Sequence, residues 1–259
     1  QEARGIKARY SSEGYNFLID GYPKENYTLM VSFITPVLRS GIANFNVVPG
    51  VTSYMNSGNF ISAKNADYLS ESGLKNLIYQ GHGLAPLSLP FISLIQSYEY
   101  IQQISDDYYL FKKREKRLSA NTVCTAKVGI KWGEKFTVPS RDADYTLVKV
   151  FYDRSYLDRL FRIALKPIPV FFNKLTLTNG EESWERFPIE DKLAATGFLL
   201  SALESEKAKM PLSSAKRLAP SSSIFLSAGR KNSEIQWLWN SGLFVRPAPY
   251  VQFCNLNFY

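Results

Sequence analysis

The sequence predicts an α+β protein: a small mixed α/β unit over residues 1–118, followed by a jelly-roll-like β-sandwich over residues 119–259. Three observations predict it. Strand-like and helix-like segments alternate up to residue 118, the pattern of a small α/β layer. Beyond it the chain becomes a series of short strands separated by Gly, Pro and Asn turns, the rhythm of a sandwich. Between the two regions stands "YYLFKKREKRLS", Tyr108 to Ser119, an aromatic strand-like segment running into five basic residues within six positions.

In the first unit "YNFLID", "YTLMVSFI" and "ANFNVV" have strand composition, "FISAKNADYLSESG" reads as a short helix closed by Gly73, and "LKNLIYQ" returns as a strand. In "SLPFISLIQSYEYIQQI", Phe91, Leu94, Ile95, Tyr98 and Ile101 fall on one helical face and Pro90 suits the first turn, which predicts one buried-face helix. "DDYYLF" closes the unit as a strand.

In the second region "TVCTAKVGIKW", "KFTVPS", "YTLVKVFYD", "PVFFNKLTLTNGEESWERF", "GFLLSAL", "SSIFLSAG", "SEIQWLWN" and "YVQFCNLNFY" read as strands, with Asn179-Gly180 a hairpin signal. One helix is expected inside it, residues 155–166, "SYLDRLFRIALK": Ser155 and Asp158 resemble a capping box and Pro167 marks the stop. No internal repeat is visible, and "LSSAKRLAPSSS" reads as a loop.

Length and a 45% hydrophobic composition allow a sizeable core and exclude disorder as the default. No apolar run reaches the roughly 20 residues that cross a bilayer. The chain opens at Gln1 with no initiator Met and no signal sequence, which predicts a processed secretory protein or an excised domain. Net charge is +8, yet residues 1–118 carry 12 Lys+Arg against 10 Asp+Glu and residues 119–259 carry 19 against 13, so there is no continuous basic stripe. No RRM signature, zinc-finger spacing or phosphate loop is present, so nucleic acid is not the expected partner. The basic run is expected to be a solvated hinge whose cations repel one another.

Candidate chemistry is sparse. His82, the only histidine, lies in "YQGHGLAP" with no nucleophile motif and no carboxylate cluster beside it, and reads as a loop residue. The acidic neighbours Asp106/Asp107, Glu181/Glu182 and Glu190/Asp191 cannot form a dyad along a strand, and Asp142 with Asp144 supplies only two carboxylates for a calcium ion. No catalytic residue, metal or cofactor is therefore expected. Cys124 is in phase with Ala126, Val128, Ile130 and Trp132, and Cys254 with Leu256 and Phe258, so both are expected to face a core, either as free thiols or as a disulfide.

Tryptophan is the more informative signal. Trp237 and Trp239 alternate with Gln236 and Leu238 onto one face beside Ile235, and Trp184 follows the hairpin turn; Trp184, Trp237 and Trp239 are the candidate ligand-binding residues, able to stack on sugar rings, with a core ladder as the rival reading. The helix over residues 155–166 has an apolar face of Leu157, Leu160, Phe161, Ala164 and Leu165 edged by Arg154, Arg159, Arg162 and Lys166, a pattern that suits either an interfacial helix on a membrane surface or packing on the sandwich.

The series "NADYL", "NLIYQ", "SLIQSYEYIQQISDDYYLFKKREKR", "GEKFTVPS", "YTLVKVFYDRSYLDRLFRIALKPIPVFFNKLTLTNG" and "ATGFLLSAL" resembles the C-terminal extracytoplasmic region of large polytopic bacterial membrane proteins similar to membrane glycosyltransferases that use lipid-linked sugars. The similarity spans roughly residues 45–259 and implies membrane helices N-terminal to Gln1, with the reactive acid of such transferases among them and none carried here. The resulting expectation is a non-catalytic, extracytoplasmic (periplasmic or cell-surface) domain that binds a glycan or lipid-linked sugar or docks on a membrane or partner. Alternatives from other classes are a jelly-roll structural subunit of a viral or surface assembly and a free-standing glycan-acting hydrolase.

Overall fold

The computed structural model describes residues 22, 26–30, 66–67, 69–71, 73–80, 88–105, 108–140, 142–157, 160, 170–178, 181–189, 191–203, 208–211, 218–228 and 249–259. Two compact units emerge, one comprising Gln1–Ala85, Leu89–Leu118 and Ala208–Ser214, the other Pro86–Ser88, Ser119–Lys207 and Ala215–Tyr259. The segments "YNFLID" and "ANFNVV", and His82, lie outside the described residues.

The first unit contains β1 (Tyr27–Met30), β2 (Asn76–Gln80), α1 (Ser88–Ser97), β3 (Tyr98–Ser105) and β4 (Tyr108–Lys113). Its sheet has the order β1-β2-β4-β3, with β1 parallel to β2 and the other pairs antiparallel. Leu77 and Tyr79 from β2, Tyr109 and Phe111 from β4, and Leu94 from α1 form one core with Leu69 and Tyr98. The single helix expected through Ile101 is corrected here. It stops at Ser97, and Tyr98 begins a strand that pairs with β4, so Ile101 is exposed while Phe91, Leu94, Ile95 and Tyr98 stay buried. The run from Tyr98 mixes aromatic, β-branched and amide residues that fit a half-buried strand, and ladder pairing outweighs its helical spacing.

The hinge expectation is also overturned. Lys112 and Lys113 belong to β4, and the Arg114 amide donates to the Ser97 carbonyl at 2.9 Å. The Arg114 Nε lies 3.1 Å from both the Ile95 and the Tyr98 carbonyl, which satisfies acceptors left open where α1 ends. Arg117 Nη2 donates to Gln96 Oε1 at 2.9 Å, and Gln96 and Leu118 are joined by the Leu118 amide to the Gln96 carbonyl and by Gln96 Nε2 to the Leu118 carbonyl. Arg114 and Arg117 are thus held by acceptors of α1, while Lys112 and Lys116 stay exposed.

The second unit holds β5 (Ala120–Cys124), β6 (Val128–Gly129), β7 (Phe136–Thr137), β8 (Tyr145–Phe151), β9 (Val170–Thr178), β10 (Glu181–Ile189), α2 (Asp191–Thr196), β11 (Phe198–Ala202), β12 (Ser221–Ala228) and β13 (Tyr250–Phe258). One sheet runs β10-β9-β12-β7 and the other β11-β8-β13-β5, with β6 also on β13; every pairing is antiparallel. Val170, Phe172, Ile224 and Leu226 from the first sheet meet Val148, Val150, Phe198, Val251 and Phe253 from the second in one core, which makes this unit a β-sandwich. Aromatic contacts cross it: Phe172 to Phe198 edge-on at 4.7 Å and Phe136 stacked on Phe253 at 5.7 Å. The sequence reading missed α2, a short helix closed by Gly197 at φ 99°, the left-handed conformation that suits glycine after a helix.

The β11-β8-β13-β5 sheet is covered on both faces at one end. Tyr145, Leu147, Cys254, Leu256 and Phe258 are buried on the face turned away from the sandwich core. Cys254 is joined to Cys124, its direct partner across the β13/β5 ladder. The free-thiol alternative is thus replaced by the disulfide, and the expectation that Cys124 faces a core is corrected. It sits on the edge strand β5, which has no neighbour on its far side among the described residues, and is exposed together with Ala126 and Val128, while Ile130 and Trp132 are buried.

Candidate functional site

Strand register decides which face of the sandwich each candidate occupies. On β9 the core-facing residues are Val170, Phe172 and Lys174; Lys174 stands opposite Glu185 of β10, so Glu185 faces inward and its neighbours Trp184 and Arg186 face outward. β12 follows the same rule, with Ile224 and Leu226 inward and Phe225 outward.

The outer face of the β10-β9-β12-β7 sheet therefore carries an aromatic platform. Trp184 is 40% exposed, and its ring meets Phe225 edge-on at 5.2 Å. Lys135 Nζ lies 5.1 Å from the Trp184 ring centroid, and the Arg186 guanidinium covers Phe171 at 3.7 Å. Beside them Asn173 Nδ2 donates to Ser227 Oγ at 2.9 Å and to the Phe225 carbonyl at 3.3 Å, fixing a buried polar floor. A flat ring met edge-on by a second ring and carrying a cation over one face can stack its open face on the apolar side of a sugar while the cation meets hydroxyl or acidic oxygens.

Behind the platform lies a buried cation. Lys174 is 2% exposed; its Nζ is 3.3 Å from Glu185 Oε2 and 3.4 Å from the Leu200 carbonyl on the opposite sheet. Leu200 occupies a register shift between β11 and β8, where the extra residue is left out of the ladder and its carbonyl is available. Burial pulls the Lys174 ammonium below its ordinary value, and the Glu185 carboxylate opposes that shift in part. The hydroxyls of Thr176, Ser221 and Ser222 are buried on the same sheet without a hydrogen-bond partner among the described residues.

The other sequence candidates separate. Trp237 and Trp239 lie outside the described residues, so Trp184 alone of the three is placed. Of the helix over 155–166, Tyr156, Leu157 and Leu160 are helical and exposed, and the remaining apolar positions lie outside the described residues. Arg154, expected as an edge cation of that helix, is buried. It is 9% exposed, with its guanidinium 5.7 Å from the Tyr152 ring, so it belongs to packing beneath the strand end. Asp144 ties two chain segments together: its Oδ2 accepts from the Phe258 amide at 2.7 Å, and its own amide donates to Asn257 Oδ1 at 3.0 Å. Among the described residues no group of three or more His, Cys, Asp or Glu could hold a metal ion, and no helix is long and apolar enough to cross a membrane.

Phe225, Lys135 and Lys174 are absent from the sequence reading. Two of them left a signal: Phe225 is out of phase with Ile224, Leu226 and Ala228, and Lys174 is in phase with Val170 and Phe172. Lys135 carries no local signal. No protein family, curated protein or solved structure matches the chain.

Proposed function

We propose that this chain is a non-catalytic extracytoplasmic domain of a bacterial envelope membrane protein, and that its sandwich binds a glycan, free or lipid-linked, on the outer face centred on Trp184. One observation carries the reading. Trp184 keeps two-fifths of its surface in solvent although Phe225 packs against its edge and Lys135 sits over its ring. A tryptophan needed only for folding gains by burying that surface, whereas a stacking platform must leave it open.

Three further features support the setting. The Cys124–Cys254 disulfide suits an oxidising compartment. In order along the chain, leaving out the two-residue β6, the first, eighth, third and sixth strands form one sheet and the second, seventh, fourth and fifth the other, an order that supports a jelly roll, an architecture shared by lectin and capsid domains. The exposed Tyr156, Leu157 and Leu160 support a second contact, with a membrane surface, in keeping with the resemblance to the extracytoplasmic regions of membrane glycosyltransferases.

The test is a glycan array read with the wild-type chain and with Trp184→Ala. Binding to defined glycans that Trp184→Ala removes supports the proposal. The absence of any glycan bound by the wild type, or binding that survives the substitution undiminished, rejects it.

A further inference from the structure

We infer that the opposite sheet carries a second, separate binding patch, built for an anionic polysaccharide. The β11-β8-β13-β5 sheet is covered on both faces at its Tyr145/Leu256 end but open at its Phe151/Tyr250 end. There Tyr250 stands directly opposite Phe151, and Gln252 directly opposite Lys149, so the four residues share the face turned away from the sandwich core, with the Lys149 stem running over Gly197.

Tyr250 is 47% exposed, and its ring lies over Gly129, with Cε1 3.7 Å from where a Cβ on that residue would stand. Lys127 crosses the same surface, and its Nζ lies 3.8 Å from the Phe151 ring centroid. Gln252 is turned to the edge, where its Nε2 donates to the Thr125 carbonyl at 2.7 Å, so its amide oxygen remains as an acceptor.

Charge selects the ligand. Lys127 and Lys149 both belong to this patch, and among the described residues neither has a carboxylate within ion-pair distance. The nearest acid along β8 is Asp153, beyond the strand's end at Phe151. An open aromatic ring on a face that also carries two lysines, neither paired with a carboxylate among the described residues, fits a sugar ring that carries a carboxylate or sulfate, since the ring takes the apolar face and the lysines take the anion. The Trp184 face differs in carrying an acid, Glu182, which projects from β10 on the same side as Trp184, Lys135 and Arg186. This patch therefore stands on observations independent of Trp184.

The experiment titrates the whole chain with polygalacturonate, dextran sulfate and neutral dextran at about 0.15 M salt, where long-range attraction is screened. The wild type is expected to bind at least one of the two anionic polymers about tenfold more tightly than dextran, a difference of roughly 1.4 kcal/mol. Preference between polygalacturonate and dextran sulfate then identifies the anion as carboxylate or sulfate. Tyr250→Ala and Lys127→Gln, both at exposed side chains and checked for an unchanged melting temperature, should each weaken that binding several-fold. Lys116→Gln, an exposed lysine of the first unit, and Trp184→Ala should leave it intact. Equal binding of dextran, equal loss with Lys116→Gln, or binding indifferent to both Tyr250→Ala and Lys127→Gln would overturn the inference. Loss with Trp184→Ala alone would move the anionic ligand to the Trp184 face.

Discussion

Lys174 and Glu185 face each other across the β9/β10 ladder with 3.3 Å between Nζ and Oε2, inside a sandwich to whose apolar core β9 contributes the in-phase Val170 and Phe172. The ammonium also reaches the Leu200 carbonyl, so one side chain ties an edge strand, its neighbour and the opposite sheet together. Glu185→Ala leaves that cation without its carboxylate and should cost roughly 3–5 kcal/mol in chemical denaturation. The double replacement Lys174→Met with Glu185→Leu removes both charges and should recover most of that loss. Equal destabilisation by the single and double variants would show that the pair is not the tie.

The same group sets a pH dependence. Burial holds Lys174 below 10.5 in the folded chain, so between its folded and unfolded values the unfolded state binds more protons than the native one. The Lys174 contribution to unfolding free energy should therefore rise with pH across that window, and be flat well below it. Comparing the pH profiles of wild type and the double variant isolates it; a difference that falls with rising pH would contradict the assignment.

The disulfide closes a separation of 130 residues and ties the edge strand β5 to β13. Cys124→Ser with Cys254→Ala should lower stability by about 2–5 kcal/mol. Hydrogen exchange should then quicken first at Asn121–Thr125 relative to Val251–Phe253, because β5 is exposed along its length. Uniform acceleration across both strands would mean that the bond does not act on the edge.

Arg114 closes α1 through the Ile95 and Tyr98 carbonyls. Arg114→Ala should cost about 1.5–3 kcal/mol, the range for a hydrogen bond from a charged group. Trypsin should cut the native chain slowly after Arg114 and faster after the exposed Lys116. Rapid cleavage at Arg114 would restore a free hinge.

The sandwich was legible because alternation survives in β8, β9, β12 and β13, where Val148/Val150, Val170/Phe172, Ile224/Leu226 and Val251/Phe253 keep one phase. The α1/β3 junction was not, since Tyr98 and Ile101 continue the helical spacing of Phe91 and Leu94 and only pairing with β4 decides against it. Edge position misled the cysteine reading: alternation says which residues share a face, but not that β5 lacks a neighbour to cover that face among the described residues. Of the Trp184 site, the ring was readable as a surface candidate. Its partners were not, because Phe225 and Lys135 come from β12 and the segment before β7, and only the fold brings them to β10.

The central claim is that Trp184 serves binding and not the core, and Trp132, buried in the sandwich core, supplies the control. The decisive measurement is a paired one: denaturation free energy and affinity for an array-selected glycan, for Trp184→Ala and Trp132→Ala. Trp132→Ala should cost roughly 3–5 kcal/mol, while Trp184→Ala should cost under about 1 kcal/mol and abolish glycan binding in a chain that remains folded. A Trp184→Ala chain destabilised as strongly as Trp132→Ala, or one that keeps its glycan affinity, would contradict the account.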